Sequence, residues 1–104
     1  MDILLNTDKN IDGTETLKSF VSEKIGSSLK HYDDKITRIE VHLSDQNADK
    51  TGVDDIQCKI EARIEGKQPV VVVNKSDTKE KALDAALDKM KATLSSIIGK
   101  MQEK

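Results

Sequence analysis

Residues 44–55 read SDQNADKTGVDD, with Asp45, Asn47 and Asp49 at alternate positions and Gly52 shortly after. Alternation of this kind is how an EF-hand loop offers its first oxygen ligands to calcium, but that loop also needs glycine at its sixth position and a bidentate Glu at its twelfth. Counted from Asp45, those positions hold Lys50 and Ile56. A cation facing the metal and an apolar residue in place of the carboxylate leave a weak, open site, so the stretch reads as a solvated hairpin loop. Asn47, Gly52 and the aspartates are turn and loop formers. Asp84 and Asp88 are a second carboxylate pair, one turn apart on a predicted helix. They would meet only at an exposed surface with no His or Cys pattern and no nucleophile beside them. Ion pairing with Lys81 and Lys91 on the same polar side is the expectation instead. His31 and His42 are too few and too scattered for a metal site, and Cys58 reads as an inert core thiol. No catalytic residue, metal, cofactor or small-molecule substrate is expected, and the chain does not read as an enzyme.

The elements follow from periodicity. MDILLN at the start places Ile3 and Leu5 on one side of a short strand. Asp12 with Glu15 has capping-box spacing, after which Leu17, Phe20, Val21, Ile25, Leu29 and Tyr32 recur every three or four residues as a helix. Gly26, Ser27 and Ser28 interrupt it with weak helix formers. Ile39, Val41 and Leu43 alternate with polar residues, as do Ile56, Cys58, Ile60, Ala62 and Ile64, which predicts two strands with one wet face each. GKQP at 66–69 turns the chain into a fourth strand, VVVV at 70–73. Asp77 and Glu80 repeat the capping-box spacing ahead of a stripe from Ala82 to Met101, a helix of about six turns. The order β-α-β-β-β-α, with single-faced strands and two amphipathic helices, predicts an α+β fold. Both helices cover one side of a four-stranded, mostly antiparallel sheet.

With 104 residues, one domain spanning 1–104 is expected. Charged residues make up 35% and the net charge is -2, so any anion-binding surface must be local. One cysteine excludes an internal disulfide framework, the start lacks the pattern of a secretion signal, and no apolar run approaches a membrane span. A cytosolic protein without a membrane partner is the expectation.

Four stretches carry a resemblance: LKSFVSEKI (17–25), HYDDKITRIEVHL (31–43), IEGKQP (64–69) and ALDAALDKMKATL (82–94). Together and in this order they resemble the ribosome hibernation-promoting factor and ribosome-associated inhibitor family. The resemblance implies a four-stranded sheet with two helices on one face, in a cytoplasmic protein that binds the small ribosomal subunit and its rRNA near the decoding site. It further implies silencing of translation in stationary phase or stress, through basic helix residues set against rRNA phosphates. Lys18 and Lys24 match such positions on the first helix and Lys89 on the second. Lys30, His31, Lys81, Lys91 and Lys100 are neighbouring candidates. The chain departs from the family where it has Ala92 in place of a common arginine and SSIIG (95–99) in place of a basic run. Residues 75–104 hold seven lysines against five acids, and 14–38 hold five basic against four acidic side chains. The acidic loop at 44–55 should point away from any rRNA. The alternative is a diverged interaction module that pairs with a protein through the wet sheet face or an exposed strand.

Helical geometry singles out Lys24. At 100° per residue it falls about 40° from Phe20 and about 20° from Leu17, at the edge of the apolar stripe. Its stem should lie in the groove beside the second helix with the ammonium reaching outward.

Overall fold

The computed structural model describes residues 1–45 and 56–102, with side chains as far as residue 99. Residues 46–55, which carry most of the calcium-like pattern, lie outside the described residues. The elements are β1 (Asp2–Thr7), α1 (Glu15–Ser28), β2 (Ile36–Asp45), β3 (Ile56–Ile64), β4 (Val70–Ser76) and α2 (Lys79–Gln102), with one 3-10 turn at Lys30–Tyr32 between α1 and β2. This is the expected β-α-β-β-β-α order. The sheet is mixed, in spatial order β1-β2-β3-β4: β1 runs parallel to β2, and the other two pairings are antiparallel. The parallel pair needs a crossover, and α1 supplies it.

Strict alternation sets the layers. Ile39, Val41 and Leu43 of β2 and Cys58, Ile60, Ala62 and Ile64 of β3 all face inward and are buried. Val21, Ile25 and Leu29 meet them from α1 and its end, and Ala82, Leu83, Ala86, Leu87, Met90, Leu94 and Ile98 from α2. The core therefore lies between one sheet face and the two helices, with α2 over β3 and β4. No polar side chain is buried among the described residues.

Two elements differ from expectation. α1 ends at Ser28 and Tyr32 falls on the 3-10 turn, whereas the stripe ran on to Tyr32; through Gly26, Ser27 and Ser28 the helix is held as expected by packing, since Ile25 and Leu29 are fully buried on either side and the Leu29 amide donates to the Ile25 carbonyl at 2.9 Å. Tertiary packing outweighs the weak local propensity. β4 extends past the valines to Ser76, since the alternation of half-buried and exposed positions continues through Asn74 and Ser76. Before it, Gly66 adopts φ 77, a left-handed conformation that favours glycine, and the Lys67 amide closes the turn on the Ile64 carbonyl at 3.0 Å.

The open sheet face carries rows of like charge. Arg38 lies opposite Arg63 and Glu40 opposite Glu61. Compensation runs along each strand, with Arg38–Glu40 and Arg63–Glu61 pairs at 3.5 Å. A register shift between Ile36 and Arg38 sets this alignment, and the Thr37 hydroxyl donates to the Arg63 carbonyl there at 3.2 Å.

Candidate functional site

Both helices start at threonines rather than at the aspartates of the capping-box spacing. Thr14 sits in extended backbone just before α1, and its Oγ1 accepts from the Leu17 amide at 3.1 Å. Thr78 does the same for the Lys81 amide, also at 3.1 Å. A cap must directly precede the first helical residue, which Asp12 does not. Asp77 has a different occupation. Its Oδ1 lies 3.4 Å from Lys81 Nζ and accepts from the Ser76 hydroxyl at 3.3 Å. Hydrogen bonding to Lys81 and its charge, with smaller backbone and Ser76 contributions, hold the Asp77 carboxyl below its ordinary value.

The helices lie side by side and run the same way. Residues 14–20 share a cleft with Lys79 and Glu80, Lys24 meets Asp84, and Tyr32 meets Ser95, so contacts advance along both helices together. Two clasps hold this arrangement. Lys24 Nζ lies 2.9 Å from Asp84 Oδ1, and the Tyr32 hydroxyl donates to Ser95 Oγ at 3.2 Å. Lys24 is at the groove edge expected for it, with its side chain 40% exposed and its ammonium 6.0 Å from the Phe20 ring centre. Asp84 pairs across the helices with Lys24 and not with Lys81 along its own helix. Among the described residues Asp88 has no ion-pair partner.

The other predicted basic residues with described side chains fall into three groups. Lys89 reaches around to the edge of the sheet, where its Nζ donates to the Val73 carbonyl of β4 at 2.9 Å. Lys18 and Lys81 are exposed and paired only with neighbours on or just before their own helices, Lys18 with Glu15 at 3.8 Å. Lys30, His31 and Lys91 are exposed and form no ion pair among the described residues. Lys100 is on α2, but its side chain lies beyond the described ones. The helix layer thus offers phosphate-sized anions several solvent-held cations, and two of the three lysines picked out by resemblance, Lys24 and Lys89, already have internal partners.

Sequence reasoning passed over Phe20 as a functional residue. It counts as core by spacing, yet it is half-buried and borders adjoining shallow clefts of about 270, 440 and 260 Å³ along α1. Among the described residues no helix is long and apolar enough to cross a membrane.

A family model described as Sigma 54 modulation protein / S30EA ribosomal protein matches residues 6–102. No curated protein matches the chain. Among solved structures, the chain is similar to the N-terminal domain of Protein Y from Thermus thermophilus, at 21% identity and a TM-score of 0.73, over 93% of this chain and 99% of that one. It is also similar to a ribosomal subunit interface protein from Coxiella burnetii, at 15% identity and a TM-score of 0.72, over 95% and 99% of the two chains. At these identities the structural likeness is one of fold.

Proposed function

The chain belongs to the Sigma 54 modulation protein / S30EA ribosomal protein family, and from that premise we propose that it is a cytoplasmic protein that binds the small ribosomal subunit near the decoding site and silences translation in stationary phase or stress. The family match over residues 6–102 carries the reading, supported by the exposed cations of the helix layer. Held apart from the acidic net charge of the whole, Lys18, Lys30, His31, Lys81 and Lys91 offer donors to rRNA phosphates without breaking a contact of the core. Lys24 and Lys89 contribute first to internal order and only then to binding, since each must leave or share a partner at 2.9 Å.

Electrostatic binding of this kind weakens as salt rises, with a log-log slope of about -0.7 to -0.9 per phosphate neutralised. A Lys30→Glu, Lys91→Glu double variant, which leaves both helix clasps intact, should co-sediment with small subunits far less than the wild type and with a shallower salt dependence. Unchanged co-sedimentation of this variant would overturn the phosphate-binding mechanism. A wild-type protein that stays at the top of the gradient at low and moderate salt would remove ribosome binding altogether. The reading would then pass to a protein-pairing module on the open sheet face, where Val71 and Val73 are 48% and 41% exposed.

A further inference from the structure

Resting on the ribosome-binding reading, we propose that Phe20 is a stacking platform for one unpaired, amino-bearing nucleobase of the bound RNA, seated in the cleft of Phe20, Glu23, Lys24 and Ser27.

Besides two histidines, the chain has two aromatic side chains, one Phe and one Tyr. Tyr32 is tethered through its hydroxyl to Ser95. Phe20 has no such tether. Its ring packs at the margin of the core and borders the open surface along α1, where the Lys24 ammonium lies over it 6.0 Å from the centre, so a stacked base would share or displace that contact. The first cleft, about 270 Å³, is shallow, open and mostly apolar. Single-stranded RNA is recognised by splaying out bases, stacking them on aromatic rings and hydrogen-bonding their edges.

The acids around Phe20 fit this use and oppose the alternative of a pure phosphate site. Glu15 and Glu23 border the clefts on the α1 side, and Glu80 borders the one between the helices. A carboxylate repels a phosphate but accepts hydrogen bonds from a base amino group. Glu23 has no ion-pair partner among the described residues, so its oxygens are available at the cleft wall. Lys24 lines the same cleft, paired with Asp84 at 2.9 Å, and by sharing its ammonium between Asp84 and the RNA it would serve the phosphate attached to the stacked nucleotide. An aromatic floor, an acceptor and a cation thus border one cleft.

Stacking and phosphate contacts separate experimentally because only the second releases counterions. Phe20→Leu keeps an apolar side chain at the core margin and removes the ring. Its affinity for purified small subunits should fall about tenfold or more while the salt slope stays that of the wild type. Since the chain contains no tryptophan, Phe20→Trp expressed with 5-hydroxytryptophan installs a single reporter, excitable apart from the subunits' own tryptophans, whose emission should be quenched by a stacked base when subunits are added. Wild-type affinity of Phe20→Leu overturns the proposal. So does weakened binding of Phe20→Leu together with unquenched Phe20→Trp that binds normally, which would mean that the ring serves packing alone. Should Phe20→Leu fail to fold, the tryptophan emission decides. Failure of the wild type to bind subunits at all would remove the ribosome reading and this site with it, whereas wild-type binding with silent Phe20 variants removes this site only.

Discussion

Lys24 and Asp84 mark the limit of what a helix surface reveals when each helix is read alone. The angle of Lys24 on α1 puts it at the groove edge, and it is there. The partner of Asp84 was not legible, because pairs three or four residues apart follow from one helix, while a pair across two helices needs their relative placement. Lys81 accordingly turns to Asp77, and the two side chains 2.9 Å apart belong to different helices. Cys58, by contrast, was readable from strand alternation. It is fully buried, and loss of solvation pushes its thiol from 9.0 up to about 12. A thiol reagent at pH 8 should leave the native protein unlabelled and label it stoichiometrically in denaturant; rapid native labelling would contradict the burial. The raised value also sets a direction for stability. Between pH 9 and pH 12 the unfolded chain loses this proton and the folded one keeps it, so stability should decline as pH rises through that window.

At the level of elements, the strands were legible because each buries one face, and the helix starts were misread because cap formers cluster. Asp12 and Thr14, and again Asp77 and Thr78, stand close together, and the spacing to a later Glu favours the aspartate while the backbone places the threonine. Thr78→Ala should lower stability by about 1 kcal/mol, seen as a lower urea midpoint at unchanged slope. Asp77→Ala tests the other assignment. The Asp77 carboxylate, held below its ordinary value by Lys81, supports the fold above the usual carboxylate range, and that support fades as pH falls through the folded value. Replacing Asp77 should therefore lower stability at neutral pH and flatten the acid limb of the stability profile, whereas replacing Thr78, which does not titrate, should lower stability evenly across that range. If both variants behave alike, the division of labour between the two residues is wrong.

Taken whole, the molecule rests on one core between a sheet face and two helices, and α2 supplies much of the cover over β3 and β4. Ile60 lies at its centre, fully buried on β3 between Val41 and Val72 in register. Ile60→Ala should cost about 2–5 kcal/mol by chemical denaturation, a large part of the stability of a domain this size. A loss below about 1 kcal/mol would show that the core is less closely packed than the geometry indicates. The position of α2 after all four strands has a consequence for synthesis. All four strands are translated before residues 79–102, so a growing chain carries a sheet whose apolar side has only α1 to shelter it. Until those residues follow the strands out of the ribosome, Ile60, Ala62 and their neighbours face water or whatever chaperone waits at the tunnel mouth. A released chain truncated before residue 79 should accordingly be sticky, protease-sensitive and held by such factors, whereas the chain through residue 102 should not.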